Sequence, residues 1–185
     1  MAMAARPPHI ETRRLTLRPL DRGDLDAISD LLGDAEALEH WGPPLDRAGA
    51  EAWIERNLAR YEDVGFGRCA VLLRETGELV GDCGLVPTSV EGVAEVELGW
   101  NVTRAQRGRG IATEAAAAWR DHAFAALGLP RIVSMIGERN LPSRRVAVKL
   151  GLRLERPALW DGGPMLMYSL ARPLSRRAGR SRTPI

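Results

Sequence analysis

Residues 106–115 read QRGRGIATEA, with two arginines and two glycines directly before an alanine-rich segment that predicts a helix. A helix N-terminus offers unpaired backbone N–H groups and a partial positive charge, which suit a phosphate. Gly108 and Gly110 would let successive amides curl toward an anion, and Arg107 and Arg109 would add charge. The stretch indicates a site for a nucleotide's phosphates, a contact with a nucleic-acid backbone, or an ordinary tight turn.

Two common nucleotide-binding motifs are excluded. A Walker A loop needs Gly-Lys followed by Ser or Thr, and the one lysine of the chain is Lys149. A dinucleotide-binding fingerprint needs a third glycine at position 113, which is Thr113 here, and a surrounding β-α-β unit that the pattern lacks.

Length and composition predict one globular domain. The chain has 185 residues, 45% hydrophobic and 27% charged. No apolar run approaches the roughly 18 residues of a membrane span, and the first residues lack the apolar core of a secretory signal. We therefore expect a cytoplasmic protein without a membrane partner.

The positive charge is concentrated at the C-terminus. The formal net charge is +2, and residues 173–185 carry four arginines and no acidic residue, so the rest of the chain is weakly acidic at −2. Because a nucleic-acid-binding domain shows a concentrated basic face, this distribution makes a nucleic-acid partner unlikely. The tail itself is typical of disordered chain.

Hydrophobic periodicity predicts the order β-α-α-β-β-β-α-β-α-β-β, a mixed α/β fold. The first strand falls in 10–20, the second helix in 46–61 and the third strand of the central run in 93–102. Ser143 is a candidate N-cap and Gly151 a candidate end of the last helix. Pairing Arg74 with Glu78 would set Cys69 opposite Cys83, which we expect to be buried, reduced thiols.

Several motifs together resemble one family. The pattern R-x-x-G-x-A at 107–112 is accompanied by VELGW at 96–100, TEA at 113–115, and N-x-x-S followed by KLGL within 140–152. ETRRLTLRPL near the start and MYSL near the end add to the pattern. The chain thereby resembles the GNAT N-acetyltransferases, and within them the RimJ/RimL-like branch.

The resemblance implies a single-domain GNAT-like fold over residues 10–172. Composition predicts a flexible N-terminus at 1–9 and a flexible basic tail at 173–185. It implies a central, mostly antiparallel, twisted sheet that is splayed at the cofactor site and flanked by about four helices. Acetyl-CoA would be the cosubstrate, its acetyl group passing directly to an amine acceptor. A homodimer is also common for this fold.

The resemblance also implies which residues bind acetyl-CoA. Its pyrophosphate would lie on the amides of the loop before the helix, and its pantetheine arm would pair with the strand through 100–102. Asn140 would hydrogen-bond the pantetheine region, and Ser143 would lie near the sulfur. The implied cofactor-binding residues are Trp100, Asn101, Val102, Arg107, Gly108, Arg109, Gly110, Ile111, Ala112, Thr113, Asn140 and Ser143. The three histidines form no ligand motif with the cysteines, so we expect no metal.

Amine acetylation requires a proton acceptor, because an alkyl amine has a pKa of about 10. Glu97, in mid-strand close to the expected reactive end of the cofactor, is the main candidate base, and Glu95 is its alternative; either could instead lie on a solvated face or in a salt bridge. The resemblance indicates Ser143 as proton donor to the departing thiolate, unless it only caps the helix. Tyr168 is the alternative donor, unless it simply packs in the sheet.

The acceptor is expected beside the loop between the first two helices. There Glu39 could attract an amine, and Trp41 could form an apolar wall or a core plug. Trp160 and Asp161 are further candidates. A protein or peptide N-terminal amine is the first expectation, and a small amine or an aminoglycoside is the second. A non-catalytic CoA-binding sensor and a nucleic-acid-associated protein using the arginine tail are the rival classes.

Overall fold

The computed structural model describes residues 7–35 and 42–173. Eight strands and four α-helices lie in these ranges. They are β1 (Ile10–Glu11), β2 (Leu15–Pro19), α1 (Leu25–Gly33), α2 (Arg47–Val64), β3 (Arg68–Leu73), β4 (Leu79–Val90), β5 (Val93–Val102), α3 (Ile111–Ala125), β6 (Arg131–Ile136), α4 (Leu141–Lys149), β7 (Arg153–Trp160) and β8 (Gly163–Ala171). Single 3-10 turns at Arg22–Asp24 and Arg104–Gln106 precede α1 and α3.

The first predicted strand is divided into β1 and β2 by a turn at Thr12. The Thr12 N–H donates to the Leu15 carbonyl at 2.9 Å, and the Thr12 hydroxyl accepts from the Leu15 N–H at 3.0 Å. The two halves pair antiparallel, with Ile10 opposite Leu17. A side-chain hydrogen bond of this kind offers the backbone an alternative to a continuous strand.

All eight strands form one sheet in the order β1-β2-β3-β4-β5-β6-β8-β7. Neighbouring strands are antiparallel except β5 and β6, which run parallel. Across the described ranges β5 and β6 pair at a single position, Glu97 with Val133. The mostly antiparallel, splayed sheet predicted from the resemblance is confirmed.

Helices cover both faces of the sheet. On one face, α3 packs on the sheet through Ala115, Ala116 and Trp119, over Leu85 and Leu98. On the other face, α1 and α2 cover Ala70 with side chains that include Leu31 and Ile54. Burial of these apolar surfaces is the main term that holds the helices in place.

The start of α2 agrees with the prediction from the sequence to within one residue, whereas the cap of α4 differs from it. Asp46 precedes α2, and its carboxylate accepts from the Gly49 N–H at 2.8 Å. The predicted N-cap of α4, Ser143, is wrong. Asn140 is the cap, and its side-chain oxygen accepts from the Ser143 N–H at 3.0 Å. Asparagine is as good an N-cap residue as serine. Proline is tolerated at position 142 because the first turn of a helix needs no hydrogen bond from its backbone N–H groups.

Cys69 lies opposite Cys83, as predicted, and both are buried free thiols. A register shift beside Val71 moves the end of the hairpin by one residue, so that the Leu73 N–H, rather than Arg74, bonds the Glu78 carbonyl at 2.9 Å. Burial raises the pKa of the Cys69 thiol to about 12 and raises that of Cys83 as well. Both thiols are therefore protonated, and unreactive, at neutral pH.

A buried ion pair joins the sheet to α2. Arg68 is 4% exposed and Asp82 is fully buried, with 3.3 Å between Arg68 Nε and Asp82 Oδ2. Asp82 also accepts from Trp53 Nε1 at 3.1 Å and from Asn101 Nδ2 at 2.8 Å. The Arg68 guanidinium lies 5.7 Å from the centre of the Trp53 ring. One carboxylate thus organises three strands and a helix.

We expect Asp82→Asn to lower the free energy of unfolding by about 3–5 kcal/mol, because it leaves the buried Arg68 charge without its counter-charge. Urea unfolding followed by tryptophan fluorescence measures the change. Asp26→Asn is the matched control, since Asp26 pairs with Arg47 at 2.7 Å on the exposed surface. The control should change stability by about 1 kcal/mol or less. Equal changes in the free energy of unfolding for the two substitutions would show that the buried pair stabilises the fold no more than a surface pair does.

Candidate active site

A cavity of about 880 Å³ opens where β5 and β6 separate. Its walls come from β4, β5, β6, α2, the N-terminal ends of α3 and α4, and the turn between β7 and β8. Most of the sequence-predicted site residues line it: Glu97, Trp100, Asn101, Val102, Arg107, Gly108, Gly110, Ile111, Ala112, Thr113, Asn140 and Ser143. Trp160 and Asp161 line it as well. Glu39 and Trp41 lie outside the described residues.

The open edge of β5 faces this cavity. Ser134 of β6 donates its hydroxyl to the Leu98 carbonyl at 2.6 Å, so Leu98 presents its backbone groups toward β6. The Thr103 N–H donates to the Val80 carbonyl at 2.9 Å. The odd-numbered residues of β5 therefore direct their backbone N–H and carbonyl groups toward β4. Because backbone direction alternates along a strand, the N–H groups of Trp100 and Val102 point toward the gap that β6 leaves. An extended chain can pair with this edge as an added strand.

The loop before α3 has the backbone shape that its glycines allow. Gly108 has φ 72° and Gly110 has φ 79°, both in the left-handed region, and Gly110 is the residue that precedes α3. The first amides of α3 follow directly and line the cavity through Ile111 and Ala112. The first amides of a helix have no partner within the helix, so they can bind a phosphate group. The two glycines before them carry no side chain that would block its approach.

Glu114, in the first turn of α3, fixes this loop to the start of the sheet. Its carboxylate accepts from the Thr12 hydroxyl at 2.7 Å, the Arg14 N–H at 2.8 Å and Arg14 Nε at 2.7 Å. Burial alone would raise the pKa of Glu114, but these donors lower it overall. Arg14 Nη1 also donates to the Arg109 carbonyl at 2.9 Å. The Arg109 side chain itself is not part of the cavity wall.

Glu97 lies half-buried in the wall of the cavity, on the same sheet face as Gly99 and Asn101. Burial raises its pKa above the ordinary glutamate value, and the opposing effects of Arg68, the Met135 N–H and Arg60 do not cancel the rise. A carboxylate with a raised pKa is a better proton acceptor near neutral pH. Glu95 differs, since it lies 3.1 Å from Arg131 Nε in an ion pair and does not line the cavity.

The two candidate proton donors lie in different surroundings. Ser143 is in the first turn of α4, beside Asn140, and both line the cavity. Tyr168 is 3% exposed in the core and does not line the cavity. Its hydroxyl accepts from Arg144 Nε at 2.9 Å. The structure therefore brings Ser143, and not Tyr168, together with Glu97.

The α2 wall of the cavity was missed in the sequence. Trp53, Arg56 and Arg60 line it from α2, and Arg68 lines it from β3. The positions 53, 56 and 60 follow the i, i+3, i+7 spacing of one helix face, so a signal was present. Because Trp53 shares that face with Ile54 and Ala50, which are buried, periodicity by itself indicates a hydrophobic core there.

Residues 14–153 match the family model described as "Acetyltransferase (GNAT) domain". The chain belongs to the GNAT acetyltransferase family. A solved acetyltransferase from Agrobacterium tumefaciens is 34% identical, with a TM-score of 0.79 over 88% of this chain and 94% of its own. Mycobacterium smegmatis RimJ, solved in complex with CoA-disulfide, is 26% identical, with a TM-score of 0.71 over 85% of this chain and 81% of its own.

The uncharacterized N-acetyltransferase p20 of Bacillus licheniformis is 28% identical over 78% of this chain and 82% of its own length. The predicted family is confirmed, and a RimJ protein is among its structural neighbours. Members of this family use acetyl-CoA, so the chain is an acetyl-CoA-dependent N-acetyltransferase.

Two further features concern only residues 7–35 and 42–173. None of the helices there is long and apolar enough to span a membrane. No group of three or more His, Cys, Asp or Glu side chains in the same residues could hold a metal ion.

We expect Gly110→Ala to weaken acetyl-CoA binding strongly. A side chain at φ 79° strains the left-handed backbone by about 1–2 kcal/mol, and its Cβ would lie 3.4 Å from Arg14 Nη2 at the amides that face the cavity. Calorimetric titration with acetyl-CoA measures the affinity.

Gly77→Ala is the matched control for this substitution. Gly77 has φ 72°, and apart from its chain neighbours no atom lies within 4 Å of the Cβ that alanine would add. It lies in the β3–β4 turn, away from the cavity. It should carry a similar cost in stability and leave the affinity unchanged. Equal acetyl-CoA affinity in the two variants would contradict a role of the α3 loop in binding.

Proposed function

We propose that this chain transfers the acetyl group of acetyl-CoA directly to a primary amine, and that the acceptor is the N-terminal amine of a peptide or protein. The observation that carries the direct transfer is the meeting of Glu97, the open edge of β5 and the N-terminal ends of α3 and α4 in one cavity. The resemblance to the RimJ/RimL-like branch, which includes enzymes for protein N-terminal amines, supports the N-terminal acceptor. The expected homodimer stays a prediction.

The residues around the cavity fit acetyl-CoA, which supplies an activated thioester when bound. In this proposal the amides from Gly108 to Ala112 hold the pyrophosphate, with Arg107 and Thr113 beside them. The backbone of Trp100 and Val102 holds the pantetheine arm in the gap left by β6. The side chains of Asn101 and Asn140 border the same groove.

Glu97 is the proposed general base. Its raised pKa makes the carboxylate a stronger base. It can therefore accept a proton from the amine through a water molecule. Glu97 itself pairs with Val133 at the one position where β5 and β6 pair in the described residues, so it lies at the inner end of the gap. The Trp100 N–H, which points into the gap, is the proposed donor to the carbonyl oxygen of the acetyl group as charge develops there.

Ser143 is the proposed proton donor to the leaving thiolate. Its backbone N–H is held by Asn140, which orients the residue at the cavity wall. The hydroxyl is then available for the sulfur, because Asn140 and not Ser143 performs the capping. Tyr168, whose hydroxyl is held by Arg144 in the core, has no proposed part in the reaction.

We expect the protein to acetylate a peptide with a free N-terminus and to leave the same peptide, N-terminally formylated, unmodified.

Glu97→Gln should lower kcat by about a hundredfold or more, because proton removal loses its base, while acetyl-CoA affinity stays the same. In the wild type, kcat should fall as the pH drops through the pKa of Glu97, which burial raises above the ordinary glutamate value. This limb should be absent in the variant. Mass spectrometry of the peptide measures both.

Glu95→Gln is the control, since Glu95 lies two residues away on the same face and is occupied by Arg131. It should keep both the rate and the pH limb. Wild-type turnover in Glu97→Gln would remove Glu97 from the mechanism. Acetyl-CoA binding without acetylation of any amine would instead favour a CoA-binding sensor.

We expect Ser143→Ala to lower kcat by about ten- to hundredfold, because water is a poorer donor to the thiolate than a positioned hydroxyl. Tyr168→Phe should leave kcat within about twofold and lower stability instead, since it removes a buried hydrogen bond. Steady-state kinetics with thermal melts separates the two. The opposite pattern, slow turnover in Tyr168→Phe alone, would assign the proton to the tyrosine.

A further inference from the structure

The α2 wall carries positive charge in the same cavity as Glu97, the proposed general base. Trp53, Arg56 and Arg60 line the cavity from one face of α2, and Arg68 lines it from β3. We propose that the acceptor carries a carboxylate a few bonds from its reactive amine, and that Arg60 binds this carboxylate. The inference rests on the proposed function, because it names the class of amine that the same cavity accepts.

Two of the three arginines are already occupied. The Arg68 charge is balanced by Asp82 within the buried pair described above. Arg56 is exposed to solvent, and its guanidinium lies 5.7 Å from the centre of the Trp53 ring. Neither is therefore the first candidate to bind a substrate group at the depth of Glu97.

Arg60 is different, because it is half-buried and the carboxylate that attracts it, Glu97, is too far away to form an ion pair with it. Its Nη1 donates to the neutral Asn57 side-chain oxygen at 3.2 Å. No carboxylate lies within ion-pair distance of it in residues 7–35 and 42–173. Burial lowers the pKa of Arg60, and the nearby Arg56 and Arg68 lower it further. A partly desolvated guanidinium that forms no ion pair is costly, and a carboxylate ligand in direct contact would reduce that cost.

The charges of the cavity match those of an amino acid. Glu97 offers a negative group to the incoming ammonium, and Arg60, whose electrostatic interaction with Glu97 is favourable, offers a positive group to a carboxylate on the same molecule. The cofactor side has its own cations, including Arg107, Arg145 and Lys149, so Arg60 is not needed for phosphate. A polycationic amine such as an aminoglycoside would meet repulsion at the α2 wall.

The carboxylate can come from two sources, which matched acceptors distinguish. Peptide amides that begin Ala-Asp and Ala-Asn differ only in a side-chain carboxylate. Free alanine and alaninamide differ in the α-carboxylate. For at least one of these pairs the wild type should prefer the carboxylate member by about tenfold or more in kcat/KM, since an ionic hydrogen bond is gained.

Arg60→Gln should reduce that preference to about one by raising KM for the carboxylate member alone. Arg60→Lys should keep part of it, because it retains the charge without the planar fork. Arg47→Gln is the control on the same helix, since Arg47 pairs with Asp26 outside the cavity, and it should keep the full preference. Thermal melts and acetyl-CoA titration establish that each variant is folded and binds the cosubstrate.

Equal rates for both members of each pair in the wild type would overturn the inference while leaving the proposed N-acetylation intact. A uniform loss of rate in Arg60→Gln, with the preference kept, would also overturn it. Absence of acetylation for every amine tested, with acetyl-CoA bound, would instead refute the proposed function together with this inference.

Discussion

The site depends on one feature of the sheet, which is that β5 and β6 run parallel and pair at Glu97 and Val133 alone within the described chain. A parallel connection requires a crossover, and α3 provides it. The crossover carries the chain away at the carboxyl end of β5, so the N-terminus of α3 begins beside the gap. The amides of Ile111 and the open edge at Trp100 therefore face one space. Had β6 paired along its whole length, both would be covered.

Different groups fix the strand and the helix that border the gap. Ser134 bridges it by bonding the Leu98 carbonyl, which fixes the direction of the β5 backbone at the point where the strands part. Glu114 holds the start of α3 to the β1–β2 turn through Thr12 and Arg14. On the opposite face, the Arg68 side chain lies over Gly99, where an added Cβ would come within 1.9 Å of its Nη1. Gly99 is thus required by the ion pair as much as by the strand.

Local patterns in the sequence predicted local structure well. Three features follow from neighbours along the chain or across one hairpin. They are the bounds of β5, the glycine-dependent loop before α3, and the register that sets Cys69 opposite Cys83. The errors arose where two local solutions compete. Asn140 displaced Ser143 as the cap of α4, and the Thr12 turn divided the first strand.

The α2 wall could not be predicted in the same way, because its meaning comes from convergence. Arg60 and Glu97 are far apart in sequence and meet only through the packing of α2 on the sheet. Periodicity indicates that Trp53 lies on the buried side of α2, where the structure has it, but periodicity cannot distinguish a core from the wall of a cavity. What distinguishes them is a charge at the same spacing, since Arg56 and Arg60 would not be tolerated in a closed core.

The strand β5 separates three tasks by direction, and this separation explains how a short segment can serve them all. Its edge presents the backbone of Trp100 and Val102 to the gap. One face presents Glu97 and Asn101 to the cavity, while the other buries Leu98 beneath α3. Because successive side chains alternate, a one-residue slip of register would move Leu98 into the cavity and Glu97 into the core. The full antiparallel pairing of β5 with β4 prevents that slip, so the stability of the hairpin and the placement of the proposed base are consequences of the same hydrogen bonds.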